Sequence, residues 1–310
     1  MVVKKNSINM KKKIYSIIFF IALILIITEL SLRFVWGFCD APLFIENRNY
    51  EYIAAPNQDR YRFRSHMHYN SFSQRSEEPD STKKIVLGLG DSVLYGGTLV
   101  DQDSLATTIF TKATGIQMLN ISAGSWGPDN CAAYIQEKGL FNAVAIYLVV
   151  SSHDAFDVMD FTPVVGKHPN YPQKQYVLAS WELLDRYLIP RISALFNKFS
   201  FDPDQSVVKG IQKKGKTFNP GFKQLKDIAE KNRIPLMVYL HAEISEIENK
   251  KYNKQGEMII QWCKDNNVPI TLDIEEGIDP SMYRDVIHLN SSGQRFLANQ
   301  MINDLKFLTR

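Results

Sequence analysis

Three residues of this chain have the types and spacing to activate a hydroxyl group. Ser92 ends an apolar run in "IVLGLGDSVLYGG", and Asp285 and His288 lie three apart in "YRDVIHLNSSGQ". A carboxylate three residues before a histidine on a turn can hold one ring nitrogen, so that the other faces outward as a base for a serine proton. Taken alone, Ser92 reads as an N-cap at a strand-to-helix junction. In that place a helix N-terminus would add a positive dipole and a free backbone N–H for a developing oxyanion. Phosphate binding does not suit the turn. Counting from Gly88 and Gly90, the third glycine of a dinucleotide turn falls on Val93, and this turn carries no Gly-Lys-Ser/Thr.

The elements that must position these residues follow from the apolar pattern. Strand-like runs lie at 85–89, 117–121, 144–150, 236–240 and 270–273, and helical stretches at 104–113, 130–138, 222–231, 257–265 and 292–308. This alternation predicts an α/β, doubly wound fold with a parallel five-stranded sheet covered on both faces. Ligands of such sheets bind beyond the carboxyl ends of the strands. The residues found there are Gly90-Asp91-Ser92, "NISAGSWG" at 120–127, "SSHD" at 151–154, His241 in "LHAE", and Asp285 with His288 before the last helix. His241 either lines the site or is a core histidine. More than eighty positions separate the third strand from the fourth, which predicts an insertion at about 155–220 forming a lid, a substrate wall or a partner contact.

The segments "GLGDSVLYGG", "NISAGSWG", "SSHD" and "DVIHLNSSG" resemble, in order and context, the four blocks of the SGNH (GDSL-like) hydrolase superfamily over about residues 83–308. The resemblance implies a flavodoxin-like, three-layer α/β/α domain that hydrolyses or transfers ester-linked acyl groups without a metal or organic cofactor. It also implies Ser92 as nucleophile, His288 as general base and Asp285 as its orienting partner. The oxyanion hole would use the Ser92 N–H and a second-block N–H, matched by residue type to Gly124 and by counting to Ser125. The third block usually places an asparagine where this chain has His153, whose imidazole N–H can donate the same bond. The function expected is a serine esterase acting on O-acyl groups, O-acetyl above all, of a cell-surface glycan. The alternatives are an O-acyltransferase using the same triad and a catalytically weak glycan-binding or scaffolding protein.

At 310 residues, 45% hydrophobic and 22% charged, the chain can bury a large core. The formal charge of +3 includes Lys4, Lys5, Lys11, Lys12 and Lys13, so the remainder is near neutral and gives no argument for nucleic acid. After this basic tail, 1–13, the run at 14–36 is long enough to cross a bilayer, and no small-x-small cleavage site follows it. It is expected to be an uncleaved anchor with a cytoplasmic N-terminus and an extracytoplasmic catalytic domain. Glu29 and Arg33, four apart, would pair near the outer interface. A juxtamembrane segment, 37–82, is expected before the hydrolase-like domain at 83–310. Phe38 is too bulky for the residue preceding a lipidated Cys39, and Cys131 and Cys263 read as buried free thiols. His66 and His68 would share one strand face without a third metal ligand. Asp154, Asp157 and Asp160 read as charges at the start of a helix, and no metal site is expected.

Overall fold

The computed structural model describes residues 2–196, 211, 213 and 215–309. Helix α1 (Val2–Phe34) leads into two hairpins, β1 (Phe44–Asn47) with β2 (Glu51–Ala54) and β3 (Gln58–Arg62) with β4 (Ser65–Tyr69). Next come β5 (Ile85–Gly90), α2 (Ser92–Tyr95), α3 (Ala106–Thr114), β6 (Gln117–Ser122), α4 (Pro128–Lys138) and β7 (Ala143–Ser151). The insertion contributes α5 (Ala179–Leu183) and α6 (Ile189–Phe196), joined by a π-helical turn at Leu184–Leu188. The chain closes with α7 (Gly221–Asn232), β8 (Leu236–His241), α8 (Ile244–Glu248), α9 (Lys254–Asp265), β9 (Ile270–Leu272) and α10 (Ser291–Asp304).

The central sheet is parallel, in the order β6-β5-β7-β8-β9. Because side chains alternate across a strand, Ile85, Leu87 and Leu89 pack on one face with α4, α7 and α9, while Val86 packs on the other with α3 and α10. The result is the expected three-layer α/β/α arrangement. The chain steps outward from β5 to β6, then returns across β5 to β7. This order makes the crevice between the carboxyl ends of β5 and β7 the topological switch point, where open α/β sheets bind ligands.

The segment at 37–82 packs on the domain. Tyr52, Ile53, Met67 and Tyr69 from the hairpins are buried in the same core as the sheet, and Trp126 Nε1 donates to the Tyr52 carbonyl at 2.9 Å. His66 and His68 do share the open face of β4, where each meets a carboxylate, Asp101 and Asp59 respectively. Cys39, Cys131 and Cys263 are all buried free thiols. Among the described residues, one helix is long and apolar enough to cross a membrane: Lys12–Phe34 has a mean hydropathy of 2.4, and most of its apolar side chains are exposed. Much of the lysine-bearing stretch at 207–218 lies outside the described residues.

Candidate active site

Ser92 stands at the switch point, immediately after β5. Asp91 precedes it as the N-cap, with its Oδ1 accepting from Val93 N at 2.8 Å. The helix it caps is a single turn that ends at Gly96 in the left-handed region, φ 74°. Four residues build almost no macrodipole, so the sequence expectation of a helix field at Ser92 reduces to local N–H groups. Residues the sequence analysis did not single out fix the turn instead. Arg75, buried, donates from Nη1 to the Tyr95 and Gly97 carbonyls at 2.5 and 2.7 Å and from Nη2 to Val100 O at 2.7 Å. Gln294 on α10 donates to Val93 O at 2.8 Å and accepts from Ala106 N at 2.9 Å. No motif marks either residue, since both act through backbone carbonyls and amides.

Asp285 and His288 come together as the spacing predicts. His288 Nδ1 lies 2.9 Å from both Asp285 oxygens, and the backbone N–H groups of Ile287 and His288 donate to Asp285 Oδ1 at 3.1 and 2.8 Å. Partial burial raises the Asp285 pKa, but these hydrogen bonds and the histidine charge outweigh it and hold the carboxyl well below the usual range. A carboxylate on Nδ1 fixes the tautomer with its proton there, leaving Nε2 as the acceptor. Among the described residues, no hydrogen bond engages that nitrogen or Ser92 Oγ. Arg284 ties the loop to the Ser92 turn by donating to Gly96 O at 3.0 Å.

His241 lies behind this loop and is fully buried. Its Nδ1 meets Asp273 Oδ2 at 2.8 Å, its Nε2 meets the Ile287 carbonyl at 2.7 Å, and its ring stacks on Tyr283 at 5.2 Å. Of the two readings of His241, the structure takes the core histidine, one that braces the residue next to His288. Burial lowers its pKa, but the Asp273 bond and charge with the Ile287 carbonyl outweigh that and raise it overall.

The second block forms a tight turn. The Gly124 carbonyl accepts from Tyr52 and Tyr171 hydroxyls at 2.9 and 2.8 Å, and Ser125 is left-handed at φ 58°. In a planar trans peptide the N–H points opposite to the C=O, so the Ser125 N–H faces away from the two tyrosines. A Cβ on Gly124 would lie 2.8 Å from the Tyr171 hydroxyl.

His153 follows β7 in a 3₁₀ turn, Ser152–Ala155. Its Nδ1 is 3.5 Å from Glu243 Oε1, and its Nε2 is 3.8 Å from Asp91 Oδ2 and 4.0 Å from Asp157 Oδ2. Burial favours the neutral ring, but the carboxylates around it prevail and raise the pKa to about 10. The carboxylates thus favour the imidazolium form of His153. Asp154 is pushed well up by burial and by the charge of Asp91. One ligand atom from each of Asp91, His153 and Asp154 lies within 4.8 Å of the others, a spacing a metal ion could fill, and the imidazolium brings its own positive charge to that place. Of the three acids, Asp154 does charge a helix start, that of the short 3₁₀ helix Ser152–Ala155, whereas no helix starts at Asp157 or Asp160, contrary to expectation. Asp154 Oδ2 accepts from the N-cap Ser151 N at 2.8 Å, and Asp160 Oδ1 from Thr162 N at 2.8 Å.

No family model and no curated protein matches the chain. Solved structures similar to it carry lipase and esterase names. A member of the lipolytic protein G-D-S-L family from Veillonella parvula is 11% identical, with a TM-score of 0.37 over 71% of this chain and 97% of that one. A lipase/acylhydrolase from Enterococcus faecalis is 10% identical, TM-score 0.41, over 72% and 95% of the two chains. A two-domain esterase active on acetylated mannans is 11% identical, TM-score 0.39, over 73% of this chain and 50% of that one. At such distances, what this site does is read from its own geometry.

Proposed function

We propose that the chain is a membrane-anchored serine esterase of the SGNH type, acting on O-acyl groups, O-acetyl above all, of a cell-surface glycan. The observation that carries this reading is the His288–Asp285 pair, with Nδ1 held by both carboxylate oxygens and Nε2 open, on a loop that Arg284 bonds to the Ser92 turn. His288 Nε2 takes the Ser92 proton as Oγ attacks the ester carbonyl, and Asp285 stabilises the imidazolium formed. His288 then returns the proton to the leaving sugar oxygen, giving an acyl-enzyme on Ser92, which water resolves with His288 again as base.

The oxyanion is bound by the backbone N–H of Ser92 and that of Ser125, whose direction away from Tyr52 and Tyr171 favours it over Gly124 as the second-block donor. His153 supplies positive charge and an N–H in place of the usual amide. The lysines before the apolar run at 14–36 favour a cytoplasmic N-terminus, with the domain beyond Phe34 on the outer side. Such an anchor suits a polymeric or lipid-linked ester held near the bilayer.

The test is acetate release from an O-acetylated oligosaccharide by the full chain in detergent, with Ser92→Ala as control. Release by the native chain and none by the variant is the expected result. Equal release by both would end the proposed mechanism.

A further inference from the structure

The insertion helix presents an apolar stripe that no part of the described protein covers. Trp181, Leu184, Leu188 and Ile192 recur at intervals of three and four along α5, the π-helical turn and α6, and Val177 precedes them in the same series. All are exposed, Val177 at 86% and Trp181 at 53%. The opposite side of the helix faces the protein. Ala179 is buried with Phe38 and Cys39, Leu183 and Tyr187 pack beside them, and the buried Glu182 carboxylate accepts from Arg62 Nη2 at 2.5 Å and from Cys39 N at 2.6 Å. The stripe is therefore held in place rather than free to turn inward.

What fixes its position is the apolar helix α1. The Glu29 carboxylate accepts from the first backbone amides of α5, Ala179 N at 2.7 Å and Ser180 N at 2.8 Å, and Arg33 Nη2 donates to Val177 O at 2.6 Å. Glu29 and Arg33 also pair with each other at 3.1 Å, as their spacing predicts. Glu29 lies seventeen positions after Lys12. At 1.5 Å per residue that is about 26 Å, close to the roughly 30 Å thickness of a bilayer core. A span that begins at Lys12 therefore brings Glu29, and with it the start of α5, to the far boundary of the hydrocarbon. Trp36 is also exposed there, with the Arg64 guanidinium over its ring at 5.2 Å. Trp36 and Trp181 are the residue type that gathers at the headgroup level.

We infer that the segment at 177–192 is an interfacial membrane element, its apolar stripe seated in the headgroup–acyl boundary of the leaflet that α1 leaves. This rests on the proposal that α1 spans a bilayer. An apolar face with charged residues behind it, set at interface depth by a spanning helix, matches the pattern of a helix lying in the membrane plane. Together the two helices give the domain two points of attachment, one through the bilayer and one along it. The catalytic domain then has a fixed tilt instead of swinging on a tether.

The test uses the full chain reconstituted in vesicles of phosphatidylethanolamine with phosphatidylglycerol as the minor lipid. An environment-sensitive fluorophore is placed in turn at Leu184→Cys, Leu188→Cys, Asp185→Cys and, within α1, Leu25→Cys. The expected result is quenching by nitroxide-bearing lipids and protection from iodide at 184, 188 and 25, with the reverse at 185. If label 25 is quenched by lipid while 184 and 188 are as open to iodide as 185, α1 spans the bilayer and the interfacial helix is refuted. If label 25 also escapes the lipid quencher, the membrane anchor itself fails.

Discussion

Two histidine–aspartate pairs stand behind the carboxyl ends of the sheet, and the difference between them lies in what the second ring nitrogen meets. In His288–Asp285 the carboxylate takes Nδ1 and leaves Nε2 open, in a partly exposed loop. In His241–Asp273 the carboxylate takes Nδ1 and the Ile287 carbonyl takes Nε2, with no exposure at either side chain. The residue types are the same, yet only the first pair has a nitrogen free to accept a proton. The second is a brace that acts on the first, because Ile287 is the residue before His288. Around it, Tyr252 donates to Asp273 Oδ1 at 2.8 Å and Tyr283 donates to the Ala242 carbonyl at 2.7 Å.

The largest effect expected separates the two pairs. His288→Ala should lower the esterase kcat by about 10⁴-fold or more with thermal unfolding unchanged, since its side chain sits at the surface of the site. His241→Ala should do the opposite, costing about 3–5 kcal/mol of stability by leaving Asp273 buried without its partner, and no more than about 10²-fold in kcat through a displaced loop. Equal kinetic losses in the two variants would erase the distinction. Asp285→Asn should come close to His288→Ala in kcat, because the amide favours the wrong tautomer. Stopped-time assays at saturating substrate measure it, and a loss under tenfold would remove Asp285 as the orienting group.

His153 is a third case, a histidine with acids on both sides. Replacing it with alanine should cost about 10²- to 10³-fold in kcat with KM little changed, and asparagine should restore much of that. Its folded pKa of about 10 lies above the ordinary 6.5. The stability it contributes is therefore fully present below about 6.5 and is lost as pH rises through about 10. The thermal midpoint of the native chain should fall over that window, and that of His153→Asn should not. A parallel fall in both chains would place the titration elsewhere.

The sequence revealed the sheet, its five strands and the residues at their ends, because apolar runs and their spacing are local signals. The strands at 117–121 and 236–240 each extend by one residue in the structure, to Ser122 and His241. The first hairpin was hidden, since Glu51–Ala54 is buried throughout against another part of the chain and so lacks alternation. Ser92, Asp285 and His288 were readable because two of them lie three apart and the third sits at a strand end. Arg75, Gln294 and the bracing role of His241 were not. Each acts on backbone atoms distant in sequence, a contact that only the fold brings about. The proposed preference for Ser125 over Gly124 rests on the direction of one peptide carbonyl, which the sequence does not carry.

The central claim is that Ser92 is a nucleophile activated by His288 and not by His241. Mass spectrometry of the full chain after exposure to a fluorophosphonate tests it most directly. A single adduct on the peptide carrying Ser92 is predicted, abolished in His288→Ala and still formed in His241→Asn. A folded chain that takes up no adduct, or one labelled equally well without His288, would contradict it.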